Sequence, residues 1–300
     1  NITAGGTGKT PFVAWLVREL ERRGRRPGIL SRGYGGGGGA NDEALLLAEL
    51  APGVPHVQQA ERFAGALELV RRGADVIVMD DGFQHRRLAR DLDLVLVDAT
   101  RPWGLPASGG GEPVRALLPR GLLRESPRGL ARANALVLTR TDQLDAARLA
   151  ALHAELERLA PGVPRCESAH APRALLAANG AREPLERLRG ARVCLVSAIG
   201  NPAAFEASVR SLGAAVVEHR RFADHHRYAA ADVADLRERA DVLCTHKDLV
   251  KLRALLPHAR ALAVELEFRS PIAALEALLD ALPPSAAARE RAALHEGLHG

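Results

Sequence analysis

The sequence predicts an α/β protein, phosphate-loop NTPase-like, with a doubly wound, mostly parallel sheet and a second, smaller α/β lobe. Three observations lead there. Short β-branched runs alternate with helix-length amphipathic stretches through most of the 300 residues. Most of those runs are continuously apolar, as expected of parallel strands covered by helices on both faces. A glycine-rich loop ending in Gly-Lys-Thr, residues 5–10, opens the first helical pattern.

In chain order, Phe12, Val13, Leu16, Val17 and Leu20 recur at helical spacing, and Gly24 follows Arg22 and Arg23 as a C-terminal stop. Candidate strands are residues 27–30, 75–79, 92–98, 134–139, 192–198, 215–219, 241–245 and 262–266. A helix starts at or near Asp42 in "NDEALLLAEL". Glycine-rich loops at 33–40 and 103–113 are of the kind that close over ligands or connect elements. Strand character is lost between about 165 and 190. The expected division is therefore a nucleotide-binding domain over 1–175, a smaller lobe over 176–282 and a weakly structured tail over 283–300.

With 47% apolar and 26% charged residues the chain is of globular composition. A chain this long buries roughly 75% of its unfolded surface. The net charge is +5, carried by 38 arginines and only three lysines, Lys9, Lys247 and Lys251. Such a balance fits either a solvated basic surface or attraction to phosphate or anionic lipid. Two Trp and two Tyr provide no stacking platform for nucleic acid. No stretch marks an obligate protein partner. Cys166, Cys194 and Cys244 form neither a CxxC pair nor a disulfide framework, which points to a reducing, cytosolic compartment. No apolar run approaches the ~18 residues of a membrane span. The first residue is Asn, so any upstream targeting or anchoring segment would lie outside the sequence.

The loop Gly5, Gly6, Thr7, Gly8, Lys9, Thr10 precedes a helix, so its free N–H groups and the helix dipole can cradle a di- or triphosphate. Lys9 can reach the β and γ oxygens, and the Thr10 hydroxyl can ligate Mg²⁺. The strict pattern would place glycine at position 3, which is Thr here. "DVIVMDDGFQH" carries Asp80 and Asp81 to the carboxyl end of a strand, where open α/β sheets bind ligands and a carboxylate can hold Mg²⁺. Alternation along an extended strand gives the two aspartates different roles unless the chain turns between them. By pattern alone Asp42 is a first-turn acid that complements its helix dipole, and His225 and His226 are surface or packing residues.

Taken in order, NIT-GGTGKTP, SRGYG, DE-LLLA, ER, DDGFQHRRLARDL, LLP-G-LRE, GNP-F, F-DHH-Y and T-KD-VKL resemble the tetraacyldisaccharide 4'-kinases, the lipid A 4'-kinases of Gram-negative bacteria. The resemblance runs in register from residue 1 to about 266. It implies transfer of the ATP γ-phosphoryl to the 4'-hydroxyl of a tetraacylated glucosamine disaccharide 1-phosphate. The setting it implies is a peripheral, Mg²⁺-dependent enzyme on the cytoplasmic face of the inner membrane. By position, Lys9 and Thr10 serve the phosphates and metal, and Asp80, Asp81, Gln84 and Glu125 belong to the metal and nucleotide site. Asp42 becomes the base on the acceptor hydroxyl, supported by His225 from the other lobe. Tyr34, Arg62 and Arg124 line the site, and Arg86, Arg87 and Arg90 are either near the 1-phosphate or solvated. Set against the family, an apolar membrane-associating segment and most of a first strand are expected ahead of residue 1. Two rivals remain. One is another phosphate-loop small-molecule kinase. The other is an ATPase switch of the partitioning class, whose extra lysine ahead of the glycine pair is here Ala4.

Overall fold

The computed structural model describes residues 1–33, 42–104, 114–239 and 241–284. Its strands are β1 (Pro27–Ser31), β2 (His56–Gln58), β3 (Val76–Met79), β4 (Leu94–Asp98), β5 (Ala135–Thr139), β6 (Arg165–Ala177), β7 (Arg182–Glu183), β8 (Arg192–Ser197), β9 (Ala215–Arg221), β10 (Val242–Thr245) and β11 (Arg260–Phe268). Its helices are α1 (Lys9–Arg22), α2 (Asp42–Leu50), α3 (Arg62–Arg71), α4 (Ala146–Leu159), α5 (Pro202–Ser211), α6 (His246–Leu252) and α7 (Ala273–Asp280). The fold is α/β and mostly parallel, as expected.

The strands form a three-stranded parallel sheet in the order β2-β1-β3 and an eight-stranded sheet in the order β4-β5-β6-β11-β10-β8-β9, with β7 on β6. Only the β6 pairings with β11 and β7 are antiparallel among the described strands. β3 and β4 border a groove of about 790 Å³ whose lining includes Phe12, Val13 and Leu16 of α1.

The stretch 165–177, part of which reads as a loss of strand character, forms the longest strand. Its Ala and Pro residues are poor β formers, so local propensity hides it. Tertiary pairing overrides this: Arg165 to Glu167 run parallel to β5, and Ser168 to Ala177 run antiparallel to β11. Pro172 is accommodated where the β6–β11 register shifts, as expected of a residue that cannot donate to the ladder. β6 thus crosses residue 175, and strands before and after it share one sheet.

The helical spacing in α1 has the expected consequence. Val13, Val17 and Leu20 pack with Ile29 of β1, Val78 of β3 and Leu47 of α2, while Phe12 faces Val137 of β5 and Leu266 of β11. Each such burial stabilises by roughly 1.5–3 kcal/mol before entropy is counted. One helix therefore locks both sheets beneath the loop that precedes it.

Candidate active site

Gly8, in the left-handed region with φ of 86°, caps α1 without any side-chain hydrogen bond to the first turn. The first-turn N–H groups are left for an anion. Only glycine suits this position, because a Cβ on Gly8 would strike the ring of His170. Likewise, a Cβ on Gly6 would lie 2.8 Å from the Asn201 backbone nitrogen, so the Gly200–Asn201 turn rests directly on the loop. The Thr139 hydroxyl donates to the Thr7 carbonyl at 3.0 Å, tying the loop to β5. Thr10 sits half-buried in the first turn of α1, beside Lys9.

β3 ends at Met79, and the chain turns at Asp81, whose φ is 57°. The two aspartates consequently differ. Asp80 is buried, and its Oδ1 lacks a hydrogen-bond partner. Burial pushes its carboxyl up to about 6 against the pull of Lys9. Asp81 is also pushed up by burial, but Lys9 at 3.3 Å and the Arg124 guanidinium bring its carboxyl down to about 2. Gln84 donates through Nε2 to Glu125 Oε1 at 2.7 Å and to the Asn1 carbonyl at 3.0 Å, while its Oε1 is buried without a partner. Arg132 pairs with Glu125 at 2.9 Å.

Asp42, the first residue of α2, meets His225 from 183 residues away, with Nδ1 3.2 Å from Oδ1. Burial would raise the Asp42 carboxyl, but the His225 hydrogen bond and the charges of Lys247 and Lys251 hold it far below the usual carboxylate range. The Asp42 hydrogen bond in turn raises His225. His225 itself has φ of 63°, a left-handed conformation costly for a residue with a Cβ. Asp224, its neighbour, lies 3.7 Å from the Cβ position of Gly5, so the pair stands beside the phosphate loop.

The structure thus gathers the loop residues, Asp80, Asp81, Arg124, Gln84 and Glu125 on one side and Asp42 with His225 on the other. Arg62 is buried at the start of α3 and donates to the Gln59 carbonyl at 3.0 Å. Tyr34 lies outside the described residues. Of the basic run, Arg90 pairs with Asp93 and carbonyl groups, which is a structural task. His226 stacks on Phe222 and bonds Asp232, so only the first histidine of the pair reaches Asp42.

Sequence reasoning missed several residues. Asp98, buried at the end of β4, holds Arg140 and accepts from Asn201 Nδ2 at 2.9 Å. Lys247 and Lys251 flank Asp42. Their signal was present in the composition: these two and Lys9 are every lysine in the chain.

Among the described residues, no three His, Cys, Asp or Glu side chains cluster as a metal site by themselves. Mg²⁺ needs no such cage, since it is commonly held by one or two carboxylates, waters and substrate phosphates. The orphaned oxygens of Asp80 and Gln84 beside a phosphate loop fit that ion.

The family profile described as tetraacyldisaccharide-1-P 4'-kinase matches residues 1–283. A tetraacyldisaccharide 4'-kinase of Anaeromyxobacter dehalogenans (strain 2CP-C) is 42% identical, covering 93% of this chain and 79% of the relative. Its counterpart in Syntrophus aciditrophicus (strain SB) is 39% identical over 84% of this chain and 74% of the relative. Among solved structures, an "apo" form of LpxK from Aquifex aeolicus in complex with ATP superposes with a TM-score of 0.70 at 29% identity, covering 93% of this chain and 85% of that one. An ordered phosphate loop, the paired aspartates and the Asp42–His225 contact are thus found in a chain that belongs to the tetraacyldisaccharide-1-P 4'-kinase family.

Proposed function

We propose that the chain is a kinase that transfers the γ-phosphoryl of ATP to the 4'-hydroxyl of a tetraacyldisaccharide 1-phosphate, a step of lipid A biosynthesis. The observation that carries this reading is the Asp42–His225 pair standing beside the phosphate loop. A hydroxyl acceptor needs a carboxylate there, whereas a nucleotide switch does not.

Gly5, Gly6, Thr7 and Gly8 hold the phosphate chain on backbone N–H groups, and Lys9 neutralises oxygens at the transferred group. Thr10, Asp80, Asp81, Gln84 and Glu125 are the residues proposed to hold Mg²⁺ and the nucleotide, with Asp80 the best-placed direct ligand. When bound, that ion neutralises charge on the β and γ oxygens. Asp42 orients the acceptor hydroxyl, and the Asp42–His225 pair takes its proton as the new P–O bond forms and the ADP oxygen departs. Because phosphoryl transfer rests on positioning and charge neutralisation, a moderately basic pair suffices. Arg124 and Arg62, with Tyr34, are proposed to line the acceptor side. The acylated substrate and the net charge of +5 support work at the cytoplasmic face of the inner membrane as a peripheral protein. Among the described residues no helix is long and apolar enough to cross a membrane.

The test is labelled-ATP transfer to tetraacyldisaccharide 1-phosphate beside a panel of other acceptors. Lipid-dependent labelling supports the reading. ATP turnover indifferent to the acylated disaccharide would overturn it.

A further inference from the structure

Lys247 and Lys251 sit one turn apart on α6, and both face Asp42. Their Nζ atoms stand 3.7 and 3.5 Å from its Oδ2, an oxygen that is buried and makes no hydrogen bond. His225 and, at 3.1 Å, the Glu43 backbone N–H engage the other oxygen. Lys247 also lies 3.5 Å from Glu43, 3.4 Å from Asp224 and 3.4 Å from both ring nitrogens of His225. Lys251 is fixed from behind, pairing with Asp248 at 3.3 Å and donating to the His226 carbonyl at 3.1 Å. A compact ammonium fits between these carboxylates where a planar guanidinium would need a fork-shaped partner. In a chain with 38 arginines, lysine at these two positions is therefore informative.

We propose that Lys247 and Lys251 are positioning residues for the transfer step. They hold the Asp42 carboxylate by Oδ2, leaving Oδ1 to His225 and the acceptor, and Lys247 sets the pH below which His225 can no longer help take the proton. The inference rests on the reading of Asp42 as the base.

The groups facing His225 are Asp42 and Glu43 from α2, Asp224 from its own loop and Lys247 from α6. The three carboxylates favour imidazolium, and Lys247 opposes it. The pair accepts a proton only with Asp42 ionised and His225 neutral, and the two titrate as one unit. Removing the Lys247 charge favours imidazolium, so the pair fills with its proton at a higher pH. The acid limb of kcat then moves up.

The experiment measures kcat and the KM for ATP across about pH 5.5 to 9 for the full chain and for Lys247→Met, Lys247→Arg, Lys251→Met and Asp42→Asn. Lys247→Met is expected to lower kcat about 10-fold near neutrality, with the KM for ATP within about twofold, and to shift the acid limb up by about one pH unit. Lys247→Arg should return the limb towards its original position without restoring full kcat. Lys251→Met should lower kcat with a smaller limb shift, and it serves should Lys247→Met fold poorly. An unmoved limb in Lys247→Met, or a pH-independent loss shared between kcat and KM, would overturn the proposal. If Asp42→Asn is inactive while the lysine variants are normal, the lysine proposal fails alone. If Asp42→Asn keeps near-normal kcat, the base reading itself fails.

Discussion

At the scale of single residues, left-handed backbone coincides with ion pairs, two of the three where the chemistry is proposed. The non-glycine residues with left-handed backbone among those described are Asp81, Arg140 and His225. Asp81 ties Lys9, Arg140 holds Asp98, and His225 holds Asp42. Backbone strain of about 1–3 kcal/mol persists only where surroundings enforce it, and such positions gather at functional sites. Lys9 is the one cation that both follows the loop glycines and touches Asp81. Its replacement in Lys9→Ala is expected to cost on the order of 10²–10³ in kcat/KM for ATP. Asp42→Asn keeps shape but loses the proposed base, so kcat should fall by on the order of 10²–10⁴ while the KM for ATP changes little. Steady-state kinetics with ATP varied at saturating acceptor check both. A comparable loss in KM for Asp42→Asn would mean that it serves nucleotide binding instead.

At the scale of elements, Asn201 joins two structures at once. Its Oδ1 caps α5 by accepting from the Ala204 N–H at 3.2 Å, and its Nδ2 donates to Asp98 and, at 3.2 Å, to Thr100. Losing the cap costs about 1 kcal/mol, and leaving Asp98 one donor short costs about 1–3 kcal/mol more. Asn201→Ala should therefore lower the thermal midpoint by several degrees. Asn201→Asp, which keeps the cap but sets a second carboxylate against Asp98, should lower it further at neutral pH. Scanning calorimetry of the three proteins gives that ranking, and equal midpoints would show that the link carries no stability. The same elements show what was legible in sequence. α1 and the apolar strands were readable because their burial pattern is local. β6 was not, because its alanines and Pro172 become a strand only through β5 and β11, whose partners lie far along the chain. The phosphate loop and the Asp80–Asp81 pair were readable as contiguous motifs. Asp42 and His225 were not readable by pattern alone, since their meaning comes from a contact across 183 residues, and only the family resemblance pointed to them.

At the scale of the whole molecule, the parts before and after β6 are joined in two different ways. On one side a continuous ladder of strands fuses them through β6 and β11. Across the site, α2 meets α6 and the His225 loop through charge: Asp42 with His225 and Lys251, and Glu49 with His246 at 2.9 Å and with Arg253. The charged contact is the part that pH can tune. His225 is raised above its ordinary 6.5, mainly by the Asp42 hydrogen bond and against burial. A group raised in the folded state contributes stability that is fully present below the unfolded value and is lost as pH rises through the folded one. The Asp42–His225 contact is therefore tightest below about pH 6.5, whereas the proposed transfer step needs neutral His225 and should be fastest above its raised value. Stability and turnover should run in opposite directions across this window. The check compares thermal midpoints of the wild type and His225→Gln at several pH values. The wild-type advantage should be largest below about pH 6.5 and fade as the pH rises through the raised folded value of His225, while wild-type kcat rises over the same interval. The side chain is 43% exposed, so the advantage will be small, and its sign with pH is the decisive reading. An advantage that stays constant, or that grows with pH, would mean that His225 is held to Asp42 as a neutral ring, and the acid limb of kcat would then need another titrating group.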